Sequence, residues 1–174
     1  TTVIHLGDTF DRRKYSNFLS LKLAKEMFFE PLMERGLDLH VLLGNHDCYY
    51  KTTNAVNSMS LTCSEYDFHL YEDTPEVVNF DGLNILMTPW IAPDKHAECL
   101  RIISKAKADF VMGHLPLQGA EMLTNVYCDD GIERKHFKRF ERVFSGHFHK
   151  QQDDGHIRYL GAPYEITWND YNSK

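Results

Sequence analysis

The chain has few cysteines, and no two of them are close together. The four are Cys48, Cys63, Cys99 and Cys128 in 174 residues, and this spacing argues against both a zinc knuckle and a disulfide framework. No run reaches the ~20 apolar residues that a transmembrane helix needs, and the first residues, TTVIHLGD, lack the features of a signal peptide. These absences predict a cytoplasmic protein with reduced thiols and no membrane segment.

The chain also lacks an excess of basic residues. Its formal net charge of −6 argues against attachment to nucleic acid by a broad basic surface, but leaves room for an enzyme that binds phosphates through metal ions. There are no repeats, low-complexity segments or linkers, so we predict one domain over residues 1–174. Histidine is unusually frequent, with ten residues, and the positions of these residues carry the rest of the argument.

Apolar runs that alternate with helical patterns predict an α/β fold. Buried strands are expected at residues 2–6, 39–43, 109–112 and 142–145. Shorter strands are expected at 68–72, 76–80, 83–88 and near 156–163, with a hairpin turn at Asp81–Gly82. Helices are expected at 16–35, where Pro31 should kink or split the helix, at 95–107 and near 133–139, with one short helix within 48–66.

Each of the four principal strands ends in glycine followed by residues that bind metals. The stretches are VIHLGDTFDRR, HVLLGNHD, FVMGHLP and VFSGHFH. Loops at the carboxyl ends of parallel strands converge on one crevice, and glycine permits a sharp turn and close approach there. The sequence therefore predicts that eight side chains meet at one edge of one sheet: Asp8, Asp11, Asn45, His46, Asp47, His114, His147 and His149.

Imidazole and carboxylate together suit Mn²⁺, Fe or Zn²⁺, and the absence of thiolate argues against a structural zinc site. His147 and His149 are two residues apart, so an extended backbone directs both to the same side, where they could serve two adjacent ions. Asp8 could bridge such a pair, since two ions about 3.5–4 Å apart can clamp a phosphoryl group and activate water. Each motif alone could be a turn, a helix cap or sheet packing, but all four in this order favour a metal site.

The motifs GDTFDRR, GNHD, GH and GHFH, in this order, resemble the calcineurin-like metallophosphoesterase superfamily across nearly the whole chain. Within it, the added similarity of TPW and RYLGAP points to SbcD-type DNA-repair nucleases and the related phage recombination nuclease subunits. The resemblance implies an α/β/β/α sandwich of two mixed sheets flanked by helices. It also implies divalent metal ions, with Mn²⁺ expected first and Fe, Zn²⁺ and Mg²⁺ as alternatives.

The resemblance assigns roles to individual residues. Asp8 is similar to the carboxylate that bridges both metals. Asn45, His114 and His147 resemble the remaining ligands of the second metal, and His149 resembles a ligand of the first.

Two further residues match catalytic positions of the superfamily. His46 is similar to the histidine that assists catalysis, as a proton donor to the leaving oxygen or as a clamp on the phosphate. Asp47 is expected to orient either His46 or the loop.

One family motif is not found in the chain. Family members open with a strand that ends in Asp-x-His and supplies two ligands of the first metal, about 30 residues before the GDxxD motif. We therefore expect a fragment truncated at both ends that lacks the N-terminal strand and holds one metal well. His5 is no substitute because it lies inside the strand, whereas Asp11 could reach inward from the loop.

Several nearby residues are candidates for substrate contact. Arg12 and Arg13 could bind phosphates, although solvated surface residues would give the same pattern. Tyr49 could stack on bases or sugars or pack against the sheet. The helix at 16–35 has apolar residues on more than one face, which fits either a buried helix or a homodimer.

For an intact relative, the resemblance implies hydrolysis of phosphodiester bonds. The expected function is that of a DNA exo- or endonuclease subunit of a recombination or repair complex, with an SbcC-type ATPase subunit as partner. One alternative is a phosphomonoesterase or a cyclic-nucleotide phosphodiesterase of the same superfamily. A second is a catalytically inactive metal-binding fragment.

Overall fold

The computed structural model describes residues 1–171, which contain two principal β-sheets and four α-helices. Residues 172–174, the end of the predicted domain, lie outside the described residues. The strands are β1 Thr2–His5, β2 Asp38–Leu42, β3 His69–Tyr71, β4 Glu76–Phe80, β5 Leu83–Thr88, β6 Phe110–Gly113, β7 Glu121–Leu123, β8 Val126–Tyr127, β9 Arg142–Ser145, β10 Gln152–Asp153 and β11 Ile157–Tyr159. The α-helices are α1 Phe18–Ala24, α2 Glu30–Glu34, α3 Ser58–Thr62 and α4 His96–Lys105.

The smaller sheet has the strand order β1-β2-β3 and is parallel throughout. Its outer face packs against α1, α2 and α3 through a core cluster that includes Phe29, Leu39, Val41 and Met59. Because β2 is covered on both sides, its residues from Leu39 to Leu42 are all buried. This covering explains why the apolar residues of β2 do not alternate with exposed polar ones, and why His40 is buried as well.

The larger sheet has the strand order β10-β11-β9-β6-β5-β4 and mixes parallel and antiparallel pairs. One face packs against α4 and the 3₁₀ turn at Arg134–Phe137. The other face meets the smaller sheet in a third cluster around Leu42, Tyr71, Ile85 and Met87. The order of layers is therefore helix, sheet, sheet, helix, which confirms the predicted sandwich.

The structure corrects the prediction that all four metal-binding loops leave one sheet. β1 and β2 belong to the smaller sheet, whereas β6 and β9 belong to the larger one. The smaller sheet is also purely parallel rather than mixed. Periodicity shows that a strand is buried but not which strand it pairs with, so the sequence pattern could not separate the two sheets.

Pro31 neither breaks nor stops the helix that contains it. Helical structure continues from Phe18 to Glu34, with a π-helical stretch at Lys25–Phe29 immediately before α2. Within it the Glu30 N–H donates to the Lys25 carbonyl, five residues back. Proline has no N–H to donate and its ring crowds the preceding turn, and a wider turn there accommodates both effects.

None of the helices in residues 1–171 combines the length and apolar character needed to cross a membrane.

Candidate active site

The loop after β1 places Asp8 by an unusual backbone path. Gly7 and Asp8 both have positive φ, at 91° and 55°, a region that glycine adopts freely and aspartate only at some cost. Gly44, at the end of β2, lies so close that a side chain there would overlap the backbone nitrogen and carboxylate of Asp8. The glycines of the two motifs therefore allow the two loops of the smaller sheet to touch.

Four predicted ligands from the two sheets converge at this point. Asn45 Oδ1 lies 3.0 Å from Nε2 of His114 and 2.7 Å from Nδ1 of His147. The two imidazole nitrogens are 3.2 Å apart, and Nε2 of His114 is 3.2 Å from Oδ2 of Asp8. Asp8, His114 and His147 thus form a group whose ligand atoms could hold one ion, with the Asn45 oxygen directed at the same point.

The far side of His114 is fixed by the backbone. Its Nδ1 lies 2.7 Å from the carbonyl oxygen of Leu6, which can only accept, so Nδ1 carries a hydrogen and Nε2 faces the centre. This arrangement is typical of histidines that bind metal through Nε2. His114 is also buried, so the ring has little freedom to turn away.

Without an ion, the electrostatics of the centre depend on the contact between Asp8 and His114. Burial opposes a charge on His114, but the Asp8 carboxylate outweighs burial and raises the pKa of His114. Burial likewise opposes ionisation of Asp8, yet His114 lowers the pKa of Asp8 to about 2. For His147, burial and then the charge of His114 lower the pKa to about 3. His147 is therefore neutral at physiological pH. Without an ion its Nδ1 lies 2.7 Å from the Asn45 oxygen, which only accepts, so binding a cation through Nδ1 requires the ring hydrogen to move to Nε2.

His46 and Asp47 have different surroundings. The His46 backbone N–H donates to Oδ1 of Asp8 at 2.7 Å, and its imidazole Nδ1 contacts the carbonyl oxygen of Asp11. Asp47 is buried and accepts from Gly44 N–H at 2.9 Å and from Phe10 N–H at 3.2 Å. Of the two expected roles of Asp47, these contacts fit support of the two loops rather than orientation of the His46 ring.

His149 borders the centre without joining its ligand group. It lines a cavity of about 270 Å³ together with Asp8, His114, His147 and His5. Its Nδ1 lies 3.1 Å from Oδ1 of Asp170, a carboxylate that also accepts from the Thr167 backbone and hydroxyl in a capping box. Asp170 holds the His149 ring through Nδ1, as the Leu6 carbonyl holds the His114 ring through Nδ1.

Asp170 is a residue of the site that no sequence motif indicated. The spacing of Thr167 and Asp170 in TWND matches a capping-box pattern, so the local turn could have been predicted. The contact with His149 could not, because it joins residues from different loops.

The four candidates for substrate contact lie on the surface beside His46. The Asp11 carboxylate is exposed and pairs with Arg12 at 3.6 Å, so it does not reach the centre. Arg12 also contacts the hydroxyl of Tyr15 at 2.7 Å, and Arg13 lies over the ring of Trp90 at 5.2 Å. Tyr49 is exposed and meets Tyr50 edge to face.

Tyr49, Arg12 and Arg13 line one groove. Its wall also carries Lys14 and Tyr15, two residues that the sequence analysis did not single out. Because Tyr49 is exposed in this groove, it does not pack against the sheet.

The donor set fits a divalent ion. A carboxylate, an amide oxygen and two imidazoles face one point, which suits Mn²⁺, Fe or Zn²⁺. The buried Asn45 oxygen, the Asp8 carboxylate and the two ring nitrogens lie within 2.7–3.2 Å of one another in the pairs given above, as expected of atoms arranged around a cation. Asp8, Asn45, His114 and His147 would hold the ion.

Comparison with known proteins supports the same interpretation. The model of the calcineurin-like phosphoesterase family matches residues 1–151. The chain belongs to this family. Its members act with divalent metal ions on phosphoester bonds, so the predicted resemblance is confirmed at that level.

One curated relative is more specific. The chain is 33% identical over 172 residues to a protein named exonuclease subunit 1 of Enterobacteria phage T4, and the match covers 99% of this chain and 50% of the relative. The chain therefore spans about half the length of the curated relative that it matches. The relation to a nuclease subunit is confirmed, whereas the activity of the whole relative can enter only as a proposal.

Proposed function

We propose that the chain carries the core of a nuclease that hydrolyses phosphodiester bonds in DNA, as a subunit of a recombination or repair complex. The observation that carries the proposal is the meeting of Asp8 and Asn45 from one sheet with His114 and His147 from the other. Such a donor set at the carboxyl ends of four strands suits phosphoester chemistry. The similarity to a phage exonuclease subunit favours a nuclease within the family.

Mn²⁺ is the ion that we propose for this centre. Bound divalent ions supply charge for the phosphate and lower the pKa of water that attacks it. Asp8 and His149, which line the same cavity, are the proposed ligands of a first ion. Asp8, Asn45, His114 and His147 are the proposed ligands of a second.

His46 is the proposed proton donor to the leaving oxygen. Its backbone N–H holds the Asp8 carboxylate in place. Since the Asp11 carbonyl can only accept, Nδ1 of His46 carries a hydrogen. To act as the donor, His46 must also carry a hydrogen on Nε2, as an imidazolium, and it passes that hydrogen to the leaving oxygen. A positioned histidine of this kind contributes about 10²–10⁴-fold to the rate.

The groove lined by Arg12, Arg13 and Tyr49 is the proposed path of the DNA. It combines the cationic side chains of Arg12, Arg13 and Lys14 with the rings of Tyr15 and Tyr49. Cations bind phosphates, and aromatic rings stack on bases without regard to sequence. This local basic groove reconciles DNA binding with the acidic net charge of the chain.

Replacing His46 with alanine tests the catalytic assignment. We expect Mn²⁺-dependent cleavage of single-stranded DNA to fall by about 10²–10⁴-fold, with Mn²⁺ affinity by calorimetry nearly unchanged. His96→Ala is the matched control, because His96 is exposed on α4. Loss of Mn²⁺ binding in His46→Ala would make His46 a ligand and contradict the assignment.

A panel of substrates separates the proposed nuclease from its alternatives. The nuclease should cleave single-stranded DNA and the bis-ester of p-nitrophenyl phosphate faster than p-nitrophenyl phosphate itself. The reverse order would indicate a phosphomonoesterase. Activity equal to that of His46→Ala on every substrate would indicate a non-catalytic metal-binding fragment.

The remaining parts of the proposal concern partners and location. We propose an SbcC-type ATPase as partner, since the T4 relative is named as one subunit of an exonuclease, and self-association through the exposed face of α1. The four cysteines are free and buried, which suits a reducing cytoplasm.

A further inference from the structure

A second group of metal-binding side chains lies at the other end of β2 from the candidate active site. Asp38 begins β2, His40 follows two residues later, and His69 begins β3. Side chains two residues apart on a strand share a face, and the parallel pairing of β2 with β3 sets His40 beside His69. We call these three residues the Asp38 cluster.

The Asp38 cluster has the dimensions of a metal site. Nε2 of His40 lies 3.1 Å from Oδ2 of Asp38, and Nε2 of His69 lies 3.5 Å from Oδ1. The two imidazole rings stack with their centroids 4.5 Å apart. Two ligands placed 2.0–2.1 Å from a tetrahedral Zn²⁺ are about 3.3 Å from each other, so each histidine already has this spacing from Asp38. The ligand atoms of all three residues lie within 4.8 Å of one another.

The His40 ring is held in one orientation. Its Nδ1 lies 2.7 Å from the hydroxyl of Tyr71, and Phe80 packs edge-on against it with a centroid distance of 4.9 Å. When Nδ1 donates to the Tyr71 hydroxyl, the lone pair of Nε2 faces Asp38. A hydrogen bond at the far nitrogen is what fixes the tautomer of most metal-binding histidines.

We propose that Asp38, His40 and His69 bind Zn²⁺ at a site separate from the candidate active site. Two imidazoles and a carboxylate are a ligand set that suits this ion. The side chains of Asp38 and His69 are 50% and 64% exposed, so an ion can enter from solvent and retain water in its fourth position. The ion would join the edge strand β3 to β2, and this inference does not rest on the proposed nuclease function.

Counting bound zinc in the full chain and in two single variants tests the proposal. Both sites offer imidazole, so wild-type protein should bind zinc at both. His69→Gln should bind one equivalent fewer, or bind that equivalent at least about tenfold more weakly. His147→Gln should lose zinc at the other centre and retain the equivalent at the Asp38 cluster. Equilibrium dialysis with elemental analysis measures both the number of bound zinc ions and their affinity.

Controls keep the result specific to the cluster. His69 is exposed, so His69→Gln should fold normally. His96→Gln removes another exposed histidine on a different element and should bind as much zinc as wild type. In histidine ring NMR, zinc should shift the Nε2 resonances of His40 and His69 in His147→Gln protein. Equal zinc binding by His69→Gln and wild type, or no shift of the His40 ring, would overturn the proposal.

Discussion

The contact between Asp8 and His114 couples metal binding to a proton. Asp8 raises the pKa of His114 despite burial, so the metal-free centre holds a proton on His114 over a wider pH range than a free histidine does. A cation needs the lone pair of Nε2 and must displace this proton. His147 adds no second proton, because its pKa is lowered to about 3.

We therefore expect Mn²⁺ binding to release a proton from His114. At about pH 6, below the unshifted pKa of histidine, the release should approach one proton per ion, and it should fall as the pH rises past the raised pKa of His114. Apparent affinity should increase over the same range. Calorimetry in buffers with different ionisation enthalpies measures the release, and binding without release at about pH 6 would contradict the assignment.

Asp47 supports the active-site loops at an electrostatic cost. Burial, and next the charge of Asp8, raise the pKa of Asp47 to about 6, although Gly44 and Phe10 donate to its carboxylate. Replacing it with alanine leaves two buried N–H groups without an acceptor. Removing the buried Asp47 carboxylate also removes an unfavourable buried charge, but this gain offsets only part of the free energy lost with the two hydrogen bonds.

We expect Asp47→Ala to lower the free energy of unfolding by about 1–3 kcal/mol and to weaken Mn²⁺ binding. Urea unfolding in the presence of a chelator measures the first effect without a contribution from bound metal. Asp67→Ala is the control, because Asp67 is exposed and should tolerate the change. An unchanged midpoint for Asp47→Ala would show that its hydrogen bonds contribute little to stability.

At the scale of elements, the long apolar runs were predicted well, and the three-residue strands β3 and β11 were also expected. The strands at β1, β2, β5, β6 and β9 each combine apolar residues with a bounding glycine or polar residue, and all were expected. β7, β8 and β10 have two or three residues each and were missed. So few residues show no period, whereas β3 and β11 were expected from flanking signals, namely Phe68 and the Asp153–Gly155 turn. Asn125 has φ 61° in the turn between β7 and β8, a conformation that asparagine tolerates better than most residues.

The helix before β2 exposes part of its apolar surface. Phe29 is fully buried, and Leu21 and Leu32 pack against the core. In contrast, Phe18 is 89% exposed and Met27 73%. The sequence pattern of apolar residues on several faces fitted either a buried helix or a homodimer. In the structure one face of the helix packs in the core, and another face is exposed and could bind a partner.

We expect the exposed face of α1 to mediate self-association. Phe18→Glu should shift a wild-type dimer toward monomer in light scattering after gel filtration. The variant should still fold, because glutamate is favourable in the first turn of a helix. Leu123→Glu places the same charge on the exposed strand β7 and should leave the oligomeric state unchanged. If the wild-type protein is a monomer at micromolar concentration, the prediction that α1 mediates self-association is wrong.

For the whole molecule, the candidate active site is a junction between two sheets. The motif order predicted that Asp8, Asn45, His114 and His147 would meet, because glycine-ended strands direct their loops to a common edge. These residues are divided between two sheets because β1 and β2 pair in one sheet and β6 and β9 in the other. The order of the motifs does not show which strands pair. Backbone contacts hold the junction without metal, since Trp90 N–H donates to the Leu43 carbonyl at 2.8 Å.

An ion at this junction would cross-link the two sheets, which gives a prediction about metal removal. Two ligands come from the smaller sheet and two from the larger, so binding should suppress motions that separate the strand ends. At Mn²⁺ about 100-fold above its dissociation constant, stability should rise by about 2.7 kcal/mol. Amide exchange should slow at residues 43–47 and 113–115, with little change at residues 79–84, the turn between β4 and β5 at the other end of the larger sheet. His147→Gln should abolish this protection, whereas equal slowing across the chain would show that the ion does not act at the junction.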